Sequence, residues 1–277
     1  QLSEIPISEQ LVARVEDCRK PFPPLTELPT GGANCCTVTV GDGRTSVGDF
    51  NDIQMAIDSL PDRGGRVCIL PGRYSLNNPV EIKRNNVIVS GCGRQARIVG
   101  PAQGSAFVVE ESHQVALEAL WVDASSPQQG AIRVYRSGGF RLADCLVRSP
   151  RRGRHAPTLQ VVDSRSVTIV DSTFVAWRGV SVQGQGVLIA RNVLRAGGIW
   201  VWDGSVGVLI RDNIIQGNTK TGGRGPGIIL GGGQPSGEAG GVKTVEILDN
   251  VIRHMNNSGI STMANTAQND LGDIEDV

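Results

Sequence analysis

The chain is poor in aromatic residues and histidine and has no excess of either charge. Aromatic residues make up 4% of its 277 positions, histidine occurs three times, and 27 acidic residues balance 27 basic ones. Even charge gives no electrostatic reason to expect nucleic acid as a partner. No apolar run approaches the roughly 20 residues of a membrane-spanning helix. Neither nucleic acid nor a membrane span is therefore expected.

The first residues, QLSEIPISEQ, lack a methionine and the basic and apolar regions of a signal peptide. We interpret the chain as a processed protein or, preferably, as a segment of a longer one. Residues 1–34, which include PFPPLTELPTGG (21–32), are expected to form an arm or linker to other domains, because proline and glycine interrupt regular structure.

Cysteine and histidine give no metal-binding pattern. Six cysteines contain no C-x-x-C pair, and three histidines cannot complete a zinc site. Buried thiols are the favoured interpretation; a disulfide between the N-terminal segment and the first strands is the alternative, and the spacing selects no pair. No cofactor is predicted, and Ca²⁺ has no supporting motif.

An eight-residue pattern returns through a glycine-rich chain. Its clearest copies are VLIARNVL (187–194), VLIRDNII (208–215) and VEILDNVI (245–252), and looser copies begin at residues 87, 115, 140 and 167. Each copy predicts a short strand, a tight turn and a second strand; a third strand, such as GVSVQG (179–184), follows a variable loop. Stacked units pair every strand with those above and below. The sequence thus predicts an all-β fold, a parallel β-helix of about seven coils over residues 35–277.

Two columns of turn residues support this alignment. Asn192, Asn213 and Asn250 occupy one position of successive units, and stacked amides there can bond along the axis and tolerate left-handed backbone. The preceding column is acidic and is interpreted as ordinary turn chemistry. It contains Asp144, Asp171, Asp212 and Asp249.

A helix is predicted to cover the open N-terminal end of the coils. DFNDIQMAIDSL (49–60) offers Asp49 as N-cap and an apolar stripe that includes Ile53 and Ile57, and Pro61 ends it. Such a cover protects the strand edges from aggregation.

Residues 40–100 resemble the N-terminal part of the pectin lyase-like right-handed β-helix superfamily, most closely its pectin methylesterase version. The shared motifs are G-D-F (48–50), I-Q-x-A-I (53–57), P-G-x-Y (71–74) and G-x-G (91–93). The resemblance implies a single-stranded right-handed helix and, by analogy, an extracellular or surface location. It specifies architecture more than activity, because esterases, lyases, hydrolases, epimerases, phage tailspikes and structural proteins share this opening.

The methylesterase motifs themselves are missing. The resemblance would require two catalytic aspartates, in Q-D-T-L-like and G-x-V-D-F-I-F-G-like segments, and a substrate arginine in L-G-R. DCLVRSP (144–150) and VVDSRSV (161–167) match neither aspartate segment. Pectin methylesterase activity is therefore not expected.

The outward positions of the third strands supply the candidate site. Aromatic rings and amides suit sugar rings, and cations on the neighbouring loops suit an acidic polymer. The candidate substrate-binding residues are Arg133, Tyr135, Gln160, Gln183, Trp200 and Trp202 on the strands and Arg151, Arg152, Arg154, Trp177 and Arg224 on the loops. The candidate catalytic residues, which match no motif, are Asp163, Asp203, Glu110, Arg178 and His155.

Two functions remain open at this point. The first is a carbohydrate-directed β-helix that binds an acidic polysaccharide and cleaves or modifies it as a lyase, hydrolase or epimerase. The second is a non-catalytic structural or receptor-binding module of a larger secreted, surface or phage-tail-like assembly. The aromatic residues favour the first, and the missing motifs favour the second.

Overall fold

The computed structural model describes residues 36–126, 128–149, 156–176, 178–217, 226–232, 241–255 and 258–263. In these ranges the chain winds into a right-handed parallel β-helix, as the sequence predicts. Each coil contributes to three parallel ladders, named here sheets A, B and C, and parallel strands joined in this way follow the right-handed crossover rule. The predicted arm, residues 1–34, lies outside the described residues.

The strands are distributed over the three sheets as follows. Sheet A contains β1 (Val38–Val40), β2 (Gly65–Ile69), β5 (Val87–Val99), β7 (Ala116–Asp123), β9 (Arg141–Ala143), β11 (Leu159–Val170), β13 (Val180–Ala190), β16 (Val206–Arg211) and β19 (Lys243–Leu248). Sheet B contains β3 (Gly72–Ser75), parts of β5 and β7, β10 (Leu146–Arg148), β12 (Thr173–Val175), β14 (Val193–Arg195), β17 (Ile214–Gln216) and β20 (Val251–Arg253). Sheet C contains β4 (Val80–Ile82), β6 (Phe107–Glu110), β8 (Ile132–Tyr135), parts of β11 and β13, β15 (Ile199–Val201), β18 (Ile228–Gly231) and β21 (Ile260–Met263).

The described residues form one coil more than the repeat predicted. Strands β2, β3 and β4 build a first coil ahead of the seven that start at residue 87. The sequence of this coil, RVCILPGRYS (66–75), contains most of β2 and all of β3, with Leu70 and Pro71 between them. No helix within the described ranges is long and apolar enough to cross a membrane.

The core runs along the axis because inward positions of successive coils are apolar. In sheet C the register aligns Val80, Phe107, Ile132, Leu159, Val180, Ile199 and Ile228, each 0–2% exposed. Burial of each large apolar side chain contributes about 1.5–3 kcal/mol. Because neighbours in this column come from different coils, the coils stabilise one another.

The N-terminal cap is shorter than predicted. Helix α1 is Ile53–Asp58, and its N-cap is Asp52, whose Oδ1 accepts a hydrogen bond from the Met55 N–H at 2.9 Å. The assignment of Asp49 as N-cap is wrong. The Asp49 carboxylate instead accepts from the backbone N–H and the hydroxyl of Thr39, both at 2.8 Å. Its bonds to β1 leave it no role at the helix.

Helix α1 closes the end of the β-helix with both apolar and polar contacts. Its buried face covers the core of the first coil. The Gln54 side chain imitates a neighbouring strand: its Nε2 donates to the Glu81 carbonyl at 3.1 Å, and its Oε1 accepts from the Glu81 N–H at 2.7 Å. Arg84 donates to four carbonyls at the helix C-terminus, at 2.6–3.0 Å. Gln54 thus pairs the Glu81 N–H and carbonyl at the open edge of sheet C, and Arg84 pairs the last carbonyls of the helix.

The P-G-x-Y motif joins the first coil to the loop after β1. The Asp42 carboxylate accepts hydrogen bonds from the N–H groups of residues 44–46 and of Arg73. Burial by itself would raise the pKa of Asp42, but the hydrogen bonds from residues 44–46 outweigh it and hold the pKa well below its usual value. The Tyr74 hydroxyl donates to the Leu70 carbonyl at 2.8 Å.

Both interpretations of the cysteines apply, each to different residues. Cys36 and Cys68 form a disulfide that ties the chain before β1 to β2, with the Cα atoms 5.7 Å apart. Cys145 is a buried thiol whose pKa is raised to about 12 by burial, and Cys92 is exposed. Cys18 and Cys35 lie outside the described residues.

The predicted asparagine ladder is confirmed. Asn213 Oδ1 accepts from the Asn192 N–H at 2.9 Å, and Asn250 Oδ1 accepts from the Asn213 N–H at 3.0 Å. The left-handed backbone, however, belongs to the preceding column. There φ is 52–55° at Asp144, Asp171, Arg191, Asp212 and Asp249. Aspartate tolerates this conformation in a turn, so the asparagine amides are left to bond along the axis.

A second ladder, which was not predicted, follows the turn between sheets C and A. Ser137 Oγ accepts from the Ser112 N–H at 3.3 Å, and Ser164 Oγ accepts from the Ser137 N–H at 3.2 Å. Further along, Ser205 Oγ accepts from the Gly184 N–H at 3.3 Å. The ladder fixes the turns that lie beside the outer face of sheet C.

Candidate ligand-binding face

The outer face of sheet C carries the strand residues that were predicted to contact a ligand. One outward column runs through Val108, Arg133, Gln160, Ser181, Trp200 and Ile229. A second column begins with Glu110, Tyr135 and Val162. Neighbouring coils are about 4.8 Å apart, so these side chains are adjacent in space.

Arg133 and Tyr135 form one cluster on this face. Arg133 Cζ lies 4.7 Å from the centroid of the Tyr135 ring, and the Tyr135 hydroxyl donates to Gln160 Oε1 at 3.4 Å. Burial lowers the pKa of Arg133, and its Nε is buried without an acceptor among the described residues. Within the same residues no carboxylate lies within 4.0 Å of its guanidinium. A cation held in this way is costly unless an anion accompanies it.

Trp200 and Trp202 point outward, as predicted, but they form one stacked pair rather than two open platforms. Their ring centroids are 4.3 Å apart and their planes are inclined by 11°. The Trp200 Nε1 donates to the Gly231 carbonyl at 3.0 Å, and the Trp202 Nε1 donates to Ser181 Oγ. Arg178 Cζ lies 5.3 Å from the Trp200 centroid. Trp200 therefore has less free ring surface than Trp202.

Three outward side chains are more covered than the alternation of the strand suggests. Val162 is 6% exposed, and Ser181 and Gln183 are each 4% exposed. Ser181 and Gln183 point outward but are covered, since the tryptophan of the next coil bonds to Ser181 and Gln183 Nε2 donates to the Asp203 carbonyl at 3.2 Å. Gln183 still borders a groove beside the face.

The three candidate carboxylates have different surroundings. Glu110 lies 2.9 Å from Arg136 and 3.7 Å from Lys83 in ion pairs. Asp203 is 7% exposed, whereas Asp163 is exposed and lies within β11, at the irregularity between Val161 and Ser164, with φ of 48°. Of the three, Asp163 is the one that solvent reaches freely.

A groove of about 630 Å³ follows the turn between sheets C and A, beside the face just described. The residues that carry its chemistry are His113, Arg136, Asp163, Arg165, Gln183 and Gln185. Sequence reasoning identified Asp163 and Gln183 and missed the other four, because it stopped at the ends of the third strands. A signal for them was present in the sequence. Ser112, Ser137 and Ser164 recur at one position of successive coils, and the residues that follow them, which include His113 and Arg165, are therefore aligned.

A further cluster that was not predicted lies on the outer face of sheet B. Arg97 Cζ lies 4.4 Å and Arg148 Cζ 5.5 Å from the Trp121 ring centroid. The Trp121 Nε1 donates to Asp123 Oδ1 at 2.8 Å, and Arg97 Nε donates to Asp123 Oδ2 at 2.7 Å. These residues satisfy one another, so this tryptophan provides a comparison for the tryptophans of sheet C.

The loop candidates remain predictions. His155, Arg151, Arg152, Arg154, Trp177 and Arg224 lie outside the described residues. In the part of the chain that the structure describes, no three histidine, cysteine, aspartate or glutamate side chains are grouped so that they could hold a metal ion.

Comparison with known proteins gives a fold and a partial sequence match. No family model matches the chain. An exo-β-1,3-glucanase from Streptomyces sp. (strain SirexAA-E / ActE) is 29% identical over 139 residues, which cover 47% of this chain. The match covers 23% of that enzyme, so the chain spans less than a quarter of the curated relative's length.

Solved structures with similar coils are more distant in sequence. A pectin methylesterase mutant in complex with a hexasaccharide is 12% identical, with a TM-score of 0.49, over 79% of this chain and 82% of that one. A protein of Geobacillus virus E2, ORF18, is 17% identical, with a TM-score of 0.44, over 76% of this chain and 46% of that one. The β-helix assignment itself depends on the strand register described above.

Proposed function

We propose that this protein binds an acidic polysaccharide along the outer face of sheet C and the adjoining groove. The observation that carries the proposal is Arg133, a partly buried guanidinium with a buried Nε that has no acceptor and no carboxylate beside it among the described residues. An acidic ligand would supply the missing negative charge at the two Nη groups of Arg133, which, unlike Nε, are not among the buried unpaired atoms.

The neighbouring side chains suit the rest of such a ligand. Tyr135 and Trp202 offer ring surface, and Gln160 offers an amide for sugar hydroxyls. Successive coils are about 4.8 Å apart, so a linear polymer that lies along the axis would contact outward side chains of several coils at once. The loop arginines Arg151, Arg152, Arg154 and Arg224, with Trp177, are proposed to extend this surface.

Binding can be tested with charged and neutral polymers in parallel. Polygalacturonate and alginate are the acidic probes, and a β-1,3-glucan is the neutral probe, chosen because the curated relative is named an exo-β-1,3-glucanase. We expect salt-sensitive binding of the acidic polymers, weakened about tenfold or more by Arg133→Gln. The matched control is Arg73→Gln on sheet B, which should bind normally. Equal affinity of the two variants, or preference for the neutral glucan, would refute the proposal.

Cleavage or modification of the bound polymer is a separate question, for which Asp163 is the favoured residue. It is an exposed carboxylate in the same groove as His113, whereas Glu110 is ion-paired and Asp203 is buried. Hydrolysis of a glycosidic bond ordinarily uses two carboxylates. Unsaturated products, reducing ends or methanol that appear with the native protein and disappear with Asp163→Asn would establish an enzyme.

The second candidate function is a non-catalytic module of a larger secreted, surface or phage-tail-like assembly. The three candidate carboxylates favour this alternative, because only Asp163 among them is free in solvent, whereas hydrolysis ordinarily uses two carboxylates. Binding without any product from the acidic polymers would support this alternative over an enzyme.

A further inference from the structure

The four arginines of the coil that spans residues 132–148 are used in two different ways. Three of them pair with carboxylates of the coil before, residues 107–123, which contains four acidic residues and no lysine or arginine. The pairs are Arg136 with Glu110 and Glu111 at 2.9 Å, Arg141 with Glu118 at 3.4 Å, and Arg148 with Asp123 at 3.6 Å. The fourth, Arg133, lies opposite Val108 and has no carboxylate within 4.0 Å among the described residues. The acidic coil thus neutralises three arginines and leaves the one on the candidate face to a ligand.

On the side of the capping helix, the candidate face ends at Arg133. The cations beyond it are Lys83 and Arg136, and each already has two carboxylate partners. These partners are Glu81 and Glu110 for Lys83, at 2.9 and 3.7 Å, and Glu110 and Glu111 for Arg136, both at 2.9 Å. An acidic ligand would have to displace these carboxylates and would be repelled by them. A polymer anchored on Arg133 therefore extends in the opposite direction.

In that direction the face has a second anchor after a gap. The register leads from Arg133 through Gln160 and Ser181 to the tryptophan pair, one coil at a time. Gln160 Oε1 accepts from the Tyr135 hydroxyl at 3.4 Å, which leaves the amide nitrogen to donate to a ligand. Ser181 is 4% exposed, because the Trp202 Nε1 donates to its hydroxyl and the indole covers it. The next open surface is the Trp202 ring, two to three coils from Arg133, which is about 10–14 Å.

We propose that this footprint selects its ligand by length and takes chains of about four sugar units or more, with an acidic unit at Arg133 and a later unit on the Trp202 ring. The proposal rests on the proposed function and narrows its ligand class. A pyranose unit in an extended chain is about as long as one coil step, so a gap of two to three steps corresponds to about three to four units.

A disaccharide can reach only one of the two anchors. Once Arg133 holds the acidic unit of a longer chain, the contact with Trp202 is intramolecular and adds affinity without a second association step. Affinity should therefore rise steeply between two and four units, and the rise should depend on Trp202.

The test compares digalacturonate with tetragalacturonate in NMR titrations of the whole chain. Binding is followed on the Arg133 Nε–H signal, and contact with the second anchor on the indole Nε1–H signals of Trp200 and Trp202. We expect the tetramer to bind about fivefold or more tightly than the dimer and to shift the indole signals. The dimer should leave them in place at the same occupancy of Arg133. The Trp121 indole, on sheet B, is the internal control and should respond to neither.

Two variants separate the anchors. Arg133→Gln should weaken dimer and tetramer by a similar factor, about tenfold or more. Trp202→Ala should remove the advantage of the tetramer and leave the affinity for the dimer unchanged. Trp202→Phe, which keeps an aromatic ring, should retain most of the advantage, and Trp121→Ala should retain all of it.

The outcomes distinguish this proposal from the proposed function. Equal affinity of the native chain for dimer and tetramer would overturn length selection, and so would a Trp202→Ala variant that loses the dimer as well. If either result occurs while polygalacturonate still binds in a manner that depends on Arg133, the proposed function stands without the length rule. If neither the oligomers nor the polymer bind, both are wrong. The comparison of the two oligomers uses the native chain, so it does not depend on the folding of a variant.

Discussion

The carboxylate of Asp42 occupies the space that a side chain on Gly72 would need. A Cβ atom at Gly72 would lie 2.5 Å from Asp42 Oδ2. The glycine of the P-G-x-Y motif and the aspartate that follows β1 therefore depend on each other, although thirty residues separate them in sequence. This contact joins the first coil to the segment that leads into the capping helix.

Asp42→Asn is expected to lower the free energy of unfolding at neutral pH by about 1–3 kcal/mol, because several backbone N–H groups lose a charged acceptor. The native pKa of Asp42 is depressed, so its contribution is present above the unfolded pKa of about 3.9 and is lost as the pH falls below that value. Urea unfolding between roughly pH 6 and pH 3 should give a steeper loss for the native chain than for Asp42→Asn. Asp62→Asn, at an exposed turn position, should retain the native slope.

Removal of the disulfide should destabilise the N-terminal end. Replacing Cys36 and Cys68 by serine is expected to cost about 2–4 kcal/mol, since the cross-link restricts the unfolded chain. Urea unfolding with and without reductant measures the effect. Reductant should destabilise the native chain and leave the double variant unchanged; a second loss in the variant would show that another disulfide contributes.

The asparagine ladder should be most sensitive at its buried centre. Asn213→Ala removes the acceptor of the buried Asn192 N–H and is expected to cost about 2–4 kcal/mol. Asn250→Ala should cost less, because Asn250 is half-buried and water can replace its amide. Thermal unfolding of the two variants compares them. Equal losses would mean that the ladder contributes uniformly whatever its burial.

Trp202 should matter more than Trp200 for the proposed ligand, because Trp200 has less free ring surface. Trp202→Ala is expected to weaken binding of an acidic polysaccharide about fivefold or more, consistent with roughly 1 kcal/mol of lost ring contact. Affinity electrophoresis measures this change. Trp121→Ala, on sheet B, is the matched control and should leave the affinity unaltered. A larger effect of Trp200→Ala would contradict the assignment of the open ring.

Local sequence patterns predicted the coils, because the strands and turns of one coil are specified by residues close together in the sequence. The alternation of apolar residues in copies such as VLIRDNII fixed which side chains face the axis, and the aligned asparagines predicted their ladder. The helix boundary was predicted less well. Asp49 and Asp52 are both suitable N-caps in sequence, and the choice between them is made by Thr39, which is ten residues from Asp49 along the chain and bonds to it in space.

The candidate face shows the same division. The sequence by itself determined that Arg133, Tyr135, Trp200 and Trp202 point outward, because the period of a strand decides this position by position. Only the tertiary structure decided that the tryptophans stack and that Gln183 is covered. These contacts join residues of different coils or depend on side-chain torsions, and alternation within one strand carries no information about either.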